Sequence, residues 1–463
     1  MKFLIALVVV SVVLSCGREI VEEEFAPVDT HDRYVDALIR LDLHETQMGR
    51  DWISAARAAL DSPSVVSTPI EETVLFDPHE PAAIGYRFAA EQGRRITISV
   101  DTDVERYFAD VFRAPASSEG TPEPVASRPE SGAGIEFEPR RDAEYLLRIQ
   151  PELLRGGRFV VSITAHASLT FPVQGVGPER ILSFFGDARD GGARMHEGID
   201  IFAPRGTPLL AASDSTVIRV GVRDRGGNIV TLRDDARDLL LYYAHLDEQL
   251  VRQGQRVRAG DPVGTTGNTG NAVTTPPHLH IGVYQGSWAR SVDPWNYFVD
   301  PPATVPTESV AADRVGEWMR LSLSASVTTS VPGTTVTPRF VNRNPLLRNR
   351  PGPVDASGAG EPPDEPGGLS FALPAGEAVR AIGAIGDHVR IRTTDGRTGF
   401  VPAVALSDQS DPIGVDATQS AYDPRTGDAV AALKPGASVE LIGSAGERAR
   451  LVRLPGGRVA LLN

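Results

Sequence analysis

The sequence predicts a mainly β, multidomain protein. From about residue 66 onwards apolar and polar residues alternate with a period of two, glycines and prolines separate these runs, and two C-terminal segments repeat each other. Residues 32–62 instead show apolar residues at three- and four-residue spacing, which predicts a helical segment. The expected order is therefore a helical segment, a β-sandwich, a second β-rich domain and two small β-barrels.

The N-terminus has the features of an export signal. Lys2 precedes an apolar run from Phe3 to Leu14, which is too short to span a bilayer but fits the core of a signal peptide. The only cysteine, Cys16, follows Val-Leu-Ser in a pattern that resembles a bacterial lipobox. We therefore expect a lipoprotein signal peptide over residues 1–15, lipidation of Cys16 and a charged tether over residues 16–31. The alternative is ordinary secretion, with Cys16 removed.

Composition restricts the partners and the location. The net charge of −14 argues against nucleic acid as a partner. A single cysteine allows no internal disulfide, so packing must stabilise the chain. Gly17 stands where an aspartate would signal retention in the inner membrane. By resemblance to bacterial lipoproteins, we expect a lipid-anchored protein of the cell envelope, in the outer membrane and facing the periplasm.

Residues 66–168 predict the β-sandwich, because several short segments alternate apolar and polar residues beside turn residues. A polar loop from Ala114 to Gly134 interrupts them. This region resembles the pre-peptidase modules of secreted bacterial hydrolases, which implies a spacing or binding role. Residues 169–300 form the second β-rich block, and residues 301–335 are interpreted as a linker with one short helix or strand.

The C-terminus contains an internal repeat. The segment that starts at Ala372 recurs from Ala432, with glycines and apolar residues in the same places. The repeat predicts one small barrel over residues 336–406 and another over residues 410–463. Both resemble bacterial SH3-like domains, with Gly399-Phe400-Val401 in place of the usual Gly-Trp-Val, and this resemblance implies binding of cell-wall peptides. The second copy lacks the Gly-aromatic-Val sequence.

Three short patterns within residues 169–300 carry candidate functional side chains. His278 and His280 lie two apart in a predicted strand and so share a face, and Tyr243 and His245 are expected to do the same. His196 and Asp200 supply an imidazole and a carboxylate, a pair that is compatible with zinc. Each pattern alone is weak evidence, because a buried, hydrogen-bonded histidine is the ordinary alternative.

Taken in order, the patterns His-x-Gly-x-Asp, Tyr-x-His, Gly-Asn-Thr-Gly and His-Leu-His resemble the LytM/lysostaphin-type zinc metallopeptidases. The resemblance covers most of residues 169–300 and implies an antiparallel β core with an open groove. It implies one Zn²⁺ held by His196, Asp200 and His280, with a fourth position left for water. His245 and His278 would then act beside the metal as acid, base or oxyanion stabiliser, in a division that stays open. Tyr243 would add a hydrogen bond to the oxyanion.

The implied function is that of an exported zinc metalloendopeptidase, which hydrolyses peptide bonds in peptidoglycan stem peptides or cross-bridges. Its partners would be peptidoglycan, the membrane through the N-terminal lipid, and an unidentified protein regulator. Some relatives have lost zinc ligands and act as amidase activators. The alternative is therefore a catalytically silent cell-wall-binding or amidase-activator lipoprotein, which the five intact positions disfavour.

The sequence disfavours one other interpretation and excludes a second. His196-Glu197 could begin a His-Glu-x-x-His helix with Glu197 as the base, but Gly198 and Pro204 favour a strand over a helix. Glu197 is therefore not expected to be the base. Parts of the region also resemble a biotinyl or lipoyl carrier, but residues 169–300 contain no acceptor lysine.

Overall fold

A computed structural model describes residues 30–463, apart from residues 118, 119, 130, 131, 133, 304, 332–368 and 447. The predicted signal peptide, Cys16 and most of the tether lie outside the described residues, as do residues 336–368 of the first predicted barrel. The described part is mainly β, as the sequence predicts. None of its helices has the length and apolar character needed to cross a membrane.

The predicted helical segment is two helices, α1 (His31–Arg40) and α2 (Gln47–Asp61). The break between them follows from Asp42, whose φ of 57° lies in the left-handed region and cannot continue a right-handed helix. Trp52 of α2 is buried, and its indole N–H donates to the carbonyl oxygen of Pro151 at 2.8 Å. The helical pair is thereby attached to the domain that follows it.

Two sheets packed face to face occupy residues 64–167. One has the strand order β1-β3-β8-β5-β6, and the other contains the run β2-β9-β4-β7. Large apolar side chains such as Tyr86, Phe88 and Phe159 are buried between them. The strands are β1 (Ser64–Val65), β2 (Ile70–Phe76), β3 (Ile84–Ala90), β4 (Arg94–Asp101), β5 (Tyr107–Arg113), β6 (Glu123–Ser127), β7 (Ile135–Phe137), β8 (Ala143–Pro151) and β9 (Gly157–Ala167).

A second domain is built on an antiparallel sheet with the order β10-β13-β20-β17-β16-β15-β18, with β21 paired to β20. Two small antiparallel pairs, β11-β12 and β14-β19, lie beside it. Its elements are β10 (Ile181–Ser183), β11 (Ala188–Arg189), β12 (Arg194–Met195), β13 (Ile199–Phe202), β14 (Pro208–Leu210), β15 (Ser215–Arg223), β16 (Gly227–Asp234), β17 (Leu239–Leu246), β18 (Arg256–Val257), β19 (Pro262–Thr265), β20 (His278–Gln285), β21 (Ser291–Val292) and α3 (Trp295–Phe298).

Polar contacts fix this domain against the sandwich. Glu138 of the sandwich accepts two hydrogen bonds from the guanidinium of Arg237, at 2.7 and 2.9 Å. The Arg94 guanidinium donates to the Asn296 side chain at 2.8 Å. A carboxylate held by two N–H groups of one arginine has a defined orientation, so this contact sets the angle between the domains as well as their distance.

The C-terminal region corrects the prediction of a linker with one short element at residues 301–335. Two strands lie there, and both pair with later strands because Met319, Leu321 and Val327 are buried in the core of that module. The strands are β22 (Trp318–Leu321), β23 (Ala325–Thr328), β24 (Leu369–Leu373), β25 (Ala378–Ile385), β26 (His388–Thr393), β27 (Thr398–Pro402) and β28 (Leu406–Ser407).

The last module has its own sheet, with the order β29-β32-β33-β34-β30-β31. Its strands are β29 (Asp411–Gly414), β30 (Gln419–Tyr422), β31 (Ala429–Leu433), β32 (Ser438–Ala445), β33 (Ala449–Arg453) and β34 (Val459–Leu462). Short 3₁₀ helices occur at Leu43–Glu45, Pro178–Arg180, Asp190–Gly192, Gly270–Ala272, Ala312–Arg314 and Ala403–Ala405.

The sandwich and the C-terminal region share one sheet, because β2 pairs with β25. An ion pair is buried at this junction. The guanidinium of Arg390 donates to both carboxylate oxygens of Glu72, at 2.7 and 2.9 Å, and the Glu72 side chain is 0% exposed. Burial would lower the pKa of Arg390, but the charge and hydrogen bonds of Glu72 leave it raised.

We expect Glu72→Gln to destabilise this shared sheet by about 3–5 kcal/mol, because it leaves the Arg390 charge buried without its partner. The measurement is the urea midpoint of the full chain, followed by tryptophan fluorescence. Glu123→Gln is the control, since the carboxylate it removes is 62% exposed and pairs with Arg113 at the surface. It should change stability by less than about 0.5 kcal/mol. Equal midpoints for the two variants would contradict the prediction.

Candidate active site

The site lies on one face of the sheet formed by β13, β20 and β17. The strand pairing aligns Asp200, His280 and Ala244 in one row across the three strands. The neighbouring row contains Ile199 and Ile281, which are fully buried. Successive side chains along a strand point to opposite faces, so the same alternation that buries the isoleucines presents Asp200 and His280 on the open face.

Three potential ligand atoms converge there. His196 Nε2 lies 2.9 Å from His280 Nδ1 and 3.1 Å from Asp200 Oδ1, and the latter two atoms are 3.0 Å apart. A tetrahedral zinc ion with bonds of about 2.0–2.1 Å keeps its ligand atoms about 3.3 Å apart. Two imidazoles and a carboxylate are donors that zinc accepts, so the group fits this metal in both chemistry and spacing.

Hydrogen bonds orient the three side chains. His196 Nδ1 is 2.9 Å from the carbonyl oxygen of Phe184, and since a carbonyl only accepts, Nδ1 donates to it while Nε2 is turned toward Asp200 and His280. Arg189 donates to Asp200 Oδ2 at 3.1 Å and also to the Ser183 hydroxyl. Asp200 therefore turns Oδ1 toward the two histidines while Oδ2 is held by the arginine.

The charge states favour a metal as well. Burial alone would raise the pKa of the Asp200 carboxyl, but hydrogen bonds from His196 and His280 outweigh it and hold that pKa well below its usual range. Burial lowers the pKa of His280, although its hydrogen bond with Asp200 and the Asp200 charge oppose the shift. A carboxylate that stays ionised and an imidazole that stays neutral are the forms in which these residues bind zinc.

Two more histidines lie beside this group. Nδ1 of His245 is 2.8 Å from the carbonyl oxygen of Thr269, and Nδ1 of His278 is 2.9 Å from that of Pro276. A carbonyl only accepts, so Nδ1 of each ring donates to it, and Nε2 is the ring nitrogen left for other contacts. Burial, followed by the charge of His280, lowers the pKa of His245 to about 4. The two ring centroids are 5.1 Å apart, and both residues line the same cavity.

Tyr243 is not part of the site, which corrects the expectation that it shares a face with His245. Its buried hydroxyl donates to the Leu210 carbonyl at 3.0 Å and accepts from the Ala212 N–H at 2.9 Å. The alternation fails because His245 has a φ of 64° and the pairing of β16 with β17 shifts register beside it.

Tyr242 faces the site instead, with its ring centroid 6.0 Å from that of His280. Sequence reasoning missed it because Leu239–Leu246 is an almost continuous apolar run. Such a run has no alternating polar residues to mark which side of the strand faces solvent.

The cavity around these residues has a volume of about 620 Å³. Among the described residues, those that line it lie between residues 183 and 288, and none belongs to the described parts of the sandwich or the C-terminal modules. Glu197 lines it and accepts a hydrogen bond from the Tyr284 hydroxyl at 3.3 Å. The segment from His196 to Gly198 is not helical, so the helix that a His-Glu-x-x-His site requires is absent. The other lining residues include Arg189, Asp190, Arg194, Phe202, Arg225, Asn271, Thr275 and Trp288.

Residues 194–294 match Peptidase family M23. The chain is 41% identical over 114 residues to the uncharacterized lipoprotein YgeR of Escherichia coli, covering 24% of this chain and 41% of YgeR. It is 40% identical over 90 residues to the peptidoglycan DD-endopeptidase ShyC of Vibrio cholerae, covering 19% and 20% of the two chains. It is 36% identical over 136 residues to the murein hydrolase activator NlpD of Escherichia coli, covering 29% and 32%.

The matches are confined to one part of each protein. The chain spans less than half the length of these relatives, at 41%, 20% and 32%. The matched region contains His196, Asp200, His245, His278 and His280 together. The comparison therefore concerns the domain that carries the candidate site, and the sandwich and C-terminal modules lie outside the family match.

Tyr243→Phe should destabilise the domain by about 1–3 kcal/mol, because it leaves the buried Ala212 N–H and Leu210 carbonyl without a partner. Tyr242→Phe should change stability by less than about 0.5 kcal/mol, because its ring packing is preserved. Thermal unfolding of both variants measures the difference. A larger loss for Tyr242→Phe than for Tyr243→Phe would contradict the assignment of Tyr243 to the core.

The full chain should bind one zinc ion, and Asp200→Ala should abolish tight binding because a ligand is lost. Arg189→Met should weaken zinc binding by about 10- to 100-fold, since Asp200 then lacks the group that orients it. Competition with a chromophoric zinc chelator measures both effects. His79→Ala is the control, because this histidine is 76% exposed and far from the cavity in sequence. Unchanged zinc affinity in Asp200→Ala would exclude this set of ligands.

Proposed function

We propose, from the match of residues 194–294 to Peptidase family M23, that this chain is an exported zinc metalloendopeptidase that hydrolyses peptide bonds in peptidoglycan stem peptides or cross-bridges. One observation carries the proposal. A complete set of three zinc-type ligand atoms, each within 3.1 Å of the others, lies in a cavity that His245 and His278 also line. Similarity to a peptidoglycan DD-endopeptidase supports this substrate class.

The chain's own residues have two kinds of proposed role, metal binding and proton transfer. Zinc held by His196, Asp200 and His280 would polarise the scissile carbonyl and lower the pKa of a water molecule. Burial lowers the pKa of His245, and both His245 and His278 use Nδ1 to donate to a backbone carbonyl, which leaves Nε2 for the reaction. Through Nε2 they would accept the proton of the attacking water and return it to the leaving amine. Tyr242, in place of Tyr243, offers a hydroxyl to the negative charge that develops on the carbonyl oxygen.

The proposed location is the cell envelope. Lipidation at Cys16 would anchor the chain, and a lipoprotein's several acyl chains bind a membrane stably. Similarity to a lipoprotein supports this part of the proposal. The two C-terminal β modules would be SH3-like domains that dock on cell-wall peptides or on a protein regulator. The outer membrane, facing the periplasm, is the proposed site of attachment.

A second function is favoured by one comparison. The chain is 36% identical over 136 residues to a murein hydrolase activator. In that case the cavity would serve protein binding rather than hydrolysis, and the chain would stimulate an amidase. The intact set of His196, Asp200 and His280 favours the enzyme, because an activator has no need to keep three ligands in zinc geometry.

Soluble protein starting at residue 17, loaded with zinc, should release cross-link-cleaved muropeptides from purified sacculi, as identified by mass spectrometry. His280→Ala and a chelator should abolish release. His245→Ala should keep zinc but lower the rate by about 10²- to 10⁴-fold, the usual contribution of a general acid or base. Glu197→Gln should retain most activity, because Glu197 is not placed as the base.

Zinc binding without release of products would contradict the enzymatic proposal. The same protein would then be mixed with a periplasmic amidase and sacculi. Stimulated release of stem peptides by the amidase would establish the activator role, and this stimulation should persist in His280→Ala.

A further inference from the structure

One positively charged side chain that lines the cavity, Arg225, has no role in the proposed chemistry. Resting on the proposed function, we propose that Arg225 forms a subsite for a substrate carboxylate, so that the site prefers acidic stem-peptide cross-links to uncharged glycine bridges. Arg225 is exposed, lines the cavity and lies in the hairpin between β15 and β16.

The backbone that carries Arg225 is fixed to the catalytic centre. The carbonyl oxygen of Arg225 accepts a hydrogen bond from the Asn271 N–H at 3.0 Å, and that of Gly226 accepts one from the His245 N–H at 2.8 Å. Arg225 is therefore one residue from the peptide group that holds His245. Arg225 lines the same cavity as His245, His278 and His280.

Close packing keeps the hairpin in this place. A Cβ atom at Gly226 would lie 2.2 Å from the Tyr242 hydroxyl oxygen, so the hairpin rests directly against the tyrosine. Gly227 has a φ of 59°, and a Cβ there would lie 2.2 Å from the Thr269 hydroxyl oxygen. Only glycine allows both approaches, which gives the arginine a rigid base while its own side chain stays free.

The three arginines of the cavity differ in what they bind. Arg189 holds Asp200, and Arg194 donates from Nε to Asp190 at 2.6 Å. In the described part of the chain the Arg225 guanidinium makes no hydrogen bond and no ion pair. It is thus the cavity arginine whose charge and donors remain available. The pKa of Asp190 is lowered chiefly by its hydrogen bond with Arg194, and the more distant charge of Arg225 contributes.

The chemistry of the guanidinium decides the class of ligand. Its planar array of N–H donors matches a carboxylate, which it can bind through two parallel hydrogen bonds. Stem-peptide cross-links can carry free carboxylates beside the scissile amide, whereas a glycine bridge carries none. An arginine charge in the same cavity as His245 therefore favours binding of the acidic substrate and makes no comparable contact with the neutral one.

The test uses two synthetic cross-linked stem peptides that differ only in a carboxylate or a carboxamide next to the scissile bond. The zinc-loaded full chain should cleave the acidic peptide with a kcat/KM about tenfold higher, the size of one partly exposed charged hydrogen bond. Arg225→Gln should remove this preference by raising KM for the acidic peptide. Its kcat/KM for the carboxamide peptide should stay within about twofold of that of the unsubstituted chain. Added salt should weaken the preference of the unsubstituted chain.

Arg252→Gln is the matched control, since Arg252 is exposed and does not line the cavity. This variant should leave kcat/KM for both peptides unchanged. Equal cleavage of the two peptides by the unsubstituted chain would overturn the inference, and so would faster cleavage of a pentaglycine bridge. Equal losses on both peptides in Arg225→Gln would do the same, because they would indicate damage to the hairpin.

The inference can be separated from the proposed function. If neither peptide is cleaved although zinc is bound, the enzymatic proposal fails, and the dissociation constants of the same two peptides are measured instead. Tighter binding of the acidic peptide, lost in Arg225→Gln and kept in Arg252→Gln, would support the carboxylate subsite on its own. Equal dissociation constants would overturn it.

Discussion

The pairing of β13, β20 and β17 is the constraint on which the candidate site depends. Asp200 and His280 are opposite each other only because Ile199 and Ile281, one residue away in each strand, are buried on the other face. A slip of one residue would expose these isoleucines and bury the metal-binding groups. The hydrophobic core thus holds the ligand atoms within 3.1 Å of one another. Arg189 adds the remaining orientation from outside the sheet.

Departures from regular strand geometry supply the rest of the site. His245 has a φ of 64°, a conformation that non-glycine residues rarely adopt, and its strand shifts register there. This local change turns the His245 ring into the cavity while Tyr243 stays in the core. The backbone N–H of His245 also donates to the carbonyl oxygen of Gly226. The same residue therefore holds the hairpin that carries Arg225. The unusual backbone conformation of His245 is therefore linked to two features of the cavity, the position of its own ring and the position of the hairpin that carries Arg225.

The other modules support the site without lining it. The sandwich contacts the second domain through Glu138 and Arg237, and it shares a sheet with the C-terminal region through β2 and β25. Within the described part of the chain, the cavity of about 620 Å³ is formed by residues 183–288 alone. The described parts of these modules therefore position the domain that carries the candidate site and do not line its cavity.

The sequence by itself determined the types and spacing of the functional residues, since His278-Leu279-His280 and His196-Glu197-Gly198-Ile199-Asp200 are local patterns. Strand periodicity places the first pair on one face, whereas His196 precedes β13 and is placed by its hydrogen bond to Phe184. It also determined the mainly β composition. Only the tertiary structure decided that Tyr242 rather than Tyr243 faces the cavity, that Asp42 divides the helical segment, and that residues 318–328 belong to a β module. It likewise decided that Glu72 meets Arg390. The pairing of β2 with β25 joins strands more than 300 residues apart, so no local pattern records it. The register shift between β16 and β17 is local, but the apolar run of β17 has no alternation that would mark it.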